Sequence, residues 1–323
     1  MPFATTADTS ASNRATDKRL IPMSRIIIID GCSANIIFQA GAAGLPQQTT
    51  AVAGGRLAGA AILLGEAGRE VFMMGEAGRD SLGNLLVERL EQAGVDTSCI
   101  DRYSDGASTP SVLIFPSGNP EKPTQSIVYR SELAERWDSR WPRVDRGDIV
   151  VFGGYFSLQQ RVRSGLVDFI DNARQRGALI VNLPGFNPAM APAVTRIMPA
   201  LLENLEMADA VMTATDDLNH LFPGMTPEEC YRSKISFYTP LMVNIDPLSH
   251  SAQVFTNGFR TSRTLAETAG VNGISAWSMP VALFIDALNR NGIPPASIGS
   301  LPTVVTENIA DSVGTSSRQA INK

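Results

Sequence analysis

EVFMMGEAGRDSLGNLLVERLEQAGVDTSCI, Glu70–Ile100, is the stretch whose reading decides the fold. Val71–Met74 is a β-compatible apolar run, and Gly75 and Gly78 then read as a turn. Asp80 or Ser81 suits the cap of a helix that runs through Gln92. Along it Leu82, Leu85, Leu86, Arg89 and Leu90 form one mainly apolar face, and Gly94 stops it. A strand, a glycine turn and an amphipathic helix in this order form the first part of a β/α unit.

Outward from there the alternation repeats. Ile26–Ile29 is a buried strand by its β-branched run, ending at Asp30-Gly31. Gly54-Gly55 precedes the helix-compatible AGAAILLGEAG. Downstream, Asp148–Phe152, Ala178–Leu183, Ala210–Met212 and Leu241–Ile245 read as strands, with a helix over Leu166–Arg176 between the first two. This pattern predicts an α/β fold with a mostly parallel central sheet and helices on both faces. Two alternating runs, Ser111–Phe115 and Gln125–Tyr129, are joined by a Pro/Gly/Asn loop and predict a hairpin inserted as a flap. Near the C-terminus Thr268, Gly270 and Gly273 bracket a turn. Ile274, Trp277, Val281, Phe284, Ile285 and Leu288 follow it at helical spacing. A glycine turn that opens a helix presents backbone N–H groups and the positive end of the helix dipole, which suits an anion. Pro302–Val313 is helix-compatible as well.

Composition narrows the function. The 323 residues are 44% hydrophobic, enough for a sizeable core, and the net charge of -5 gives no basic field for nucleic acid. The longest purely aliphatic run, Ile26–Ile29, is far too short to span a membrane. Three widely separated cysteines, Cys32, Cys99 and Cys230, predict reduced thiols in a cytoplasmic protein. With only His220 and His250, a His-rich metal site is excluded. Residues 1–22 are polar with no apolar core segment, so a disordered tail is expected there, with the folded domain spanning 23–323.

Several of these segments together resemble the PfkB (ribokinase-like) carbohydrate kinases, over roughly residues 24–315. The strongest match is Gly75, Gly78, Asp80 and Gly83 with the run Ala93-Gly94-Val95-Asp96-Thr97. Gly54-Gly55 with its Ala-rich helix matches the family's first signature, and Glu267-Thr268-Ala269-Gly270-Val271-Asn272-Gly273 its C-terminal one. The resemblance implies a ribokinase-like fold with a small β lid from strands near 35–52 and 107–131, through which such proteins often dimerise. It implies a small sugar or nucleoside as substrate, with ATP and Mg2+ as cofactors. It places Asn35, Gly54, Gly55 and Gly59 at the substrate, and Gly270, Val271 and Asn272 at the anion hole. Asn244, Asp246 and Glu267 fall on the nucleotide side, and Asp217 where magnesium is organised.

The chain departs from the family at chemical positions. The catalytic aspartate falls on Gly273, which has no side chain, and the glycine before it on Asn272. The sugar-holding aspartate is Asn35, and the sugar-contacting asparagine is Gly59. In the Asn-x-x-Glu motif Ala214 replaces the amide and Asp217 keeps a carboxylate. In the nucleotide loop Pro247 stands where a glycine would offer its N–H. Loss of a general base typically costs about 10²–10⁴-fold in rate. The expectation is a carbohydrate kinase homologue that binds a sugar-like ligand with weak or lost phosphoryl transfer. Two alternatives stay open: an active kinase with a substitute base such as Glu267 or Asp246, and a non-catalytic regulatory or structural partner.

Overall fold

Four isoleucines, Ile26–Ile29, make β1, the strand on which the larger sheet is built. Ile26 and Ile28 enter one hydrophobic core and Ile27 and Ile29 a second one, so both faces of the strand are covered. That is the burial pattern of a parallel strand between helix layers. The computed structural model describes residues 24–40, 46–103, 106–115, 125–129, 136–185, 194–246, 249–265 and 277–314.

After β1 come β2 (Ser33–Ala40), β3 (Pro46–Gly54), α1 (Arg56–Glu66), β4 (Val71–Gly78), α2 (Ser81–Gln92) and β5 (Val95–Tyr103). The lid strands β6 (Ser111–Phe115) and β7 (Gln125–Tyr129) follow, then β8 (Ile149–Gly153), α3 (Gln160–Gln175), β9 (Leu179–Leu183) and α4 (Val194–Met207). The last third holds β10 (Ala210–Ala214), α5 (Thr215–Leu221), α6 (Pro227–Cys230) and β11 (Leu241–Asp246). It closes with β12 (Ser251–Thr256), β13 (Phe259–Thr264), α7 (Ser278–Asn291) and α8 (Thr303–Gly314).

The larger sheet has the order β13-β12-β11-β10-β9-β8-β1-β4-β5 among the described residues. From β5 to β11 every neighbouring pair is parallel. Only the last two pairings, β11–β12 and β12–β13, are antiparallel. One core joins this sheet to α1, α2, α7 and α8, with α1 packed against α7. The other joins it to α3. The second sheet has the order β3-β2-β6-β7. Its outer pairs are antiparallel and its central β2–β6 pair is parallel.

Asp80 ties the two sheets together. Its side chain accepts from the Gly83 N–H at 2.7 Å, which caps α2. It also accepts from the Thr109 N–H and Oγ1, both at 2.7 Å, which anchors the approach to β6. Two expectations need correction. Gly75 and Gly78 do not turn the chain, because β4 runs through both of them. They are glycines because backbone comes close: a Cβ on Gly75 would stand 2.2 Å from the Asp30 carbonyl oxygen. And α3 begins at Gln160 instead of near Leu166. Its first turns carry Arg163, buried through bonds to the Ser157 carbonyl, Glu203 and Asn204. Residues 1–22 lie outside the described residues.

Candidate functional site

A cleft of about 450 Å³ opens between the end of β1 and the lid sheet. Size and position suit a small-molecule ligand, which in open α/β sheets sits beyond the carboxyl ends of the strands. Asp30, the first residue after β1, lines its floor. Two glycines in the left-handed region hold that carboxylate closely: a Cβ on Gly55 (φ 98°) would lie 3.5 Å from Oδ2, and one on Gly154 (φ 62°) 3.1 Å from Oδ1. Any other residue at these two positions would be strained, and at 154 it would also crowd Asp30.

The lid supplies Asn35 from β2, Ser111 and Val112 from β6, and Val128 from β7. Gly54 stands behind Asn35. Gly55 is the N-cap residue of α1, so that helix starts at the cleft, and Arg56 and Leu57 of its first turn line it.

Two ion pairs cross the walls. Arg161, in the first turn of α3, forks onto Glu76 of β4, with Nη1 at 2.9 Å from Oε2 and Nη2 on Oε1. Glu76 is 4% exposed, and a planar guanidinium satisfies both of its oxygens at once. Arg56 reaches over to α5, where its Nη1 donates to Asp217 Oδ2 at 2.8 Å. Its guanidinium carbon also lies 4.9 Å from the centre of the Trp277 ring, just before α7. Beneath the floor, burial together with the charges of Asp30 and Glu76 pushes the Cys32 thiol well above its usual range, so it stays protonated and inert.

The structure brings Asn35, Gly55 and Asp217 to one cleft, with Gly54 supporting Asn35. Gly59 is buried within α1 and does not line it. Asn244 is 1% exposed and binds within the protein: its Oδ1 accepts from Thr213 Oγ1 and its Nδ2 donates to Thr215 Oγ1, both at 3.0 Å. Asp246 ends β11, where it accepts from the Ser249 N–H at 3.3 Å. Glu267, Gly270, Val271, Asn272 and Gly273 lie outside the described residues, as does Pro247.

Asp30, Arg56, Glu76 and Arg161 went unread in the sequence. One signal existed for Arg56: it is the sole charged residue of α1 before Glu66, directly after a glycine pair. For Glu76 and Arg161 no local pattern announces a pairing across 85 positions.

For nucleotide, Asn244 and Asp246 offer no open donor set facing the cleft. For magnesium, Asp217 is the implied ligand, and its Oδ2 already accepts from Arg56 and from the Ala214 N–H at 3.2 Å. Among the described residues no group of three or more His, Cys, Asp and Glu could hold a metal ion. With its Oδ2 engaged by Arg56 and by the Ala214 N–H, Asp217 does not fit direct coordination of a divalent metal as the site is built. Among the described residues, too, no helix is long and apolar enough to cross a membrane.

Comparison with known proteins gives this arrangement a family. The fold is similar to that of fructokinase from Vibrio cholerae O395, at 17% identity and a TM-score of 0.71, over 90% of this chain and 96% of that one. Aminoimidazole riboside kinase from Salmonella enterica, solved with aminoimidazole riboside and an ATP analog, is similar at 13% identity and a TM-score of 0.71, over 93% of this chain and 94% of that one. A PfkB protein from Polaromonas sp. JS666 is similar at 15% identity and a TM-score of 0.65, over 90% of this chain and 95% of that one. No curated protein sequence matches the chain. The sequence profile of the pfkB family carbohydrate kinases matches residues 23–232, more than half of the chain. The chain belongs to the PfkB family of carbohydrate kinases.

Proposed function

We propose that the protein binds a small, polyhydroxylated, sugar-like ligand in the cleft under the lid, and that ATP-dependent phosphoryl transfer to it is weak or lost. The observation that carries the binding half is the placement of Asn35 beside Asp30 and Gly55 in one cleft of about 450 Å³. An amide, a carboxylate and the start of α1 together offer donors and acceptors for several hydroxyls. The loss of transfer rests on Gly273, where the family's base has no side chain here. The three cysteines, all free and buried, fit a cytoplasmic protein. Ile127 and Tyr129, 57% and 51% exposed on β7, support pairing of lids in a homodimer.

The test is ADP release with magnesium and ATP over a panel of sugars and nucleosides, run beside calorimetric binding of the same panel and beside Gly273→Asp. The expected result is binding of one ligand without nucleotide and no acceptor-dependent ADP from the natural chain. Silence of the whole panel in calorimetry overturns the binding half.

A second reading has one observation in its favour. The Asp30 carboxylate lines the cleft between Gly55 and Gly154, where a base could reach an acceptor hydroxyl. On that reading the natural chain releases ADP in the presence of its acceptor, and Asp30→Asn abolishes the release.

A further inference from the structure

The resemblance implies magnesium near Asp217, and the residues around Asp217 are built for something else. We infer that Arg56 is the resident cation of this site: a fixed guanidinium that neutralises Asp217, presents its positive charge to the cleft, and keeps divalent metal out.

Three features carry this. The first is depth. Asp217 is 3% exposed in its side chain and Arg56 34%, so the carboxylate lies beneath the guanidinium. A hydrated ion would have to displace Arg56 to reach Asp217. Magnesium keeps several waters and demands near-octahedral oxygen donors, which a buried carboxylate under a cation cannot give it.

The second is seating. Arg56 is held at both ends of its charge, by Asp217 Oδ2 at 2.8 Å and by the Trp277 ring at 4.9 Å. A guanidinium stacks on an aromatic face while donating in its own plane, and it stays charged at every physiological pH. The third is accommodation. A Cβ on Gly185 would stand 2.4 Å from Arg56 Nη1 and 3.3 Å from Asp217 Oδ2. Only a glycine at 185 leaves the pair its space.

The charge arithmetic agrees. A dication beside Asp217 would sit next to a guanidinium that cannot lose its proton, and that repulsion in a partly buried site is worth far more than in water. Asp217 thus has its charge compensated by a group that chelators cannot remove. This goes beyond the binding reading above and does not depend on which ligand the cleft takes.

The experiment is titration with Mn2+, read by the loss of its free-ion electron paramagnetic resonance signal, on the full chain and five variants. The natural chain is expected to show no saturable site in the millimolar range. Arg56→Gln, which leaves Asp217 uncompensated, is expected to gain one site with at least about tenfold higher affinity. Arg56→Gln with Asp217→Asn is expected to lose that site again. Arg56→Lys keeps the charge and is expected to stay empty. Gly185→Ala would bring a Cβ hardest against the flexible end of Arg56, at 2.4 Å from Nη1 against 3.3 Å from Asp217 Oδ2, and it supplies the same gain should Arg56→Gln fail to fold. One saturable Mn2+ site in the natural chain that Asp217→Asn removes would overturn the inference. So would a folded Arg56→Gln that binds no Mn2+.

Discussion

The side chain of Asn35 lies in the space that the missing Cβ of Gly54 leaves open. A Cβ at 54 would lie 2.3 Å from the Asn35 Oδ1 and 2.7 Å from its Cγ. The contact is made across the β2–β3 ladder, in which Gly54 pairs with Ser33 and Val52 with Asn35. Gly54→Ala is expected to turn Asn35 away from the cleft. Ligand affinity should fall about tenfold, roughly 1.4 kcal/mol, with little change in melting temperature. Calorimetry with the ligand found in the sugar panel checks this, and an unchanged affinity would take Asn35 out of the ligand site.

The Glu76–Arg161 pair predicts a stability loss. Side-chain exposure is 6% for Glu76 and 16% for Arg161, so removing the arginine leaves a buried charge without its partner. Arg161→Met is expected to cost about 3–5 kcal/mol in urea unfolding. Arg161→Met with Glu76→Gln should recover much of that, because the stranded charge is gone. A double variant as unstable as the single one would mean that the loss comes from packing.

Gly75 predicts a coupling between fold and site. Its missing Cβ would meet backbone, the Asp30 carbonyl oxygen at 2.2 Å, and backbone cannot swing away. Gly75→Ala is expected to destabilise by about 1–3 kcal/mol. It should also weaken ligand binding, since the shift moves Asp30. Thermal unfolding and calorimetry on the same sample separate the two effects.

Asp80 predicts an acid limit. Burial raises its pKa, but the hydrogen bonds from Thr109 and from the Gly83 N–H outweigh burial and leave it below the usual carboxylate value. A depressed folded pKa contributes stability that is fully present above the unfolded value, about 3.9. It is lost as the pH falls through the lower folded value. Asp80→Asn should flatten that part of the stability curve below about pH 4 and cost stability at neutral pH. Acid unfolding followed by circular dichroism reads both.

The elements that are legible in the sequence are those whose cause is local. Ile26–Ile29 reads as a buried strand because all four side chains are apolar. The lid strands Ser111–Phe115 and Gln125–Tyr129 and the Asp80-capped helix ending at Gln92 stand where alternation and capping put them. What is not legible has its cause elsewhere in the chain. Gly75 looks like a turn in isolation because a glycine does not say whether it bends the chain or admits a neighbour. The start of α3 hides because Arg163 is buried by partners on α4 and has no apolar signature of its own. The two ion pairs of the cleft join positions 161 and 85 residues apart, which no window of sequence contains.

The place of β1 has a consequence for how the protein is made. It is the first described strand to leave the ribosome, yet one of its two neighbours in the sheet is β8. Arg25, just before it, is held by Asp148, 123 residues later, and Ser24 bonds to Asn289, 265 residues later. Synthesis proceeds at about 5–20 residues per second, so those four isoleucines wait several seconds for β8 to pair their open edge, and longer for α3 and α7 to cover their two faces. Nascent chains stalled before residue 149 should therefore hold this strand open to chaperones, and chains released after α7 should hide it.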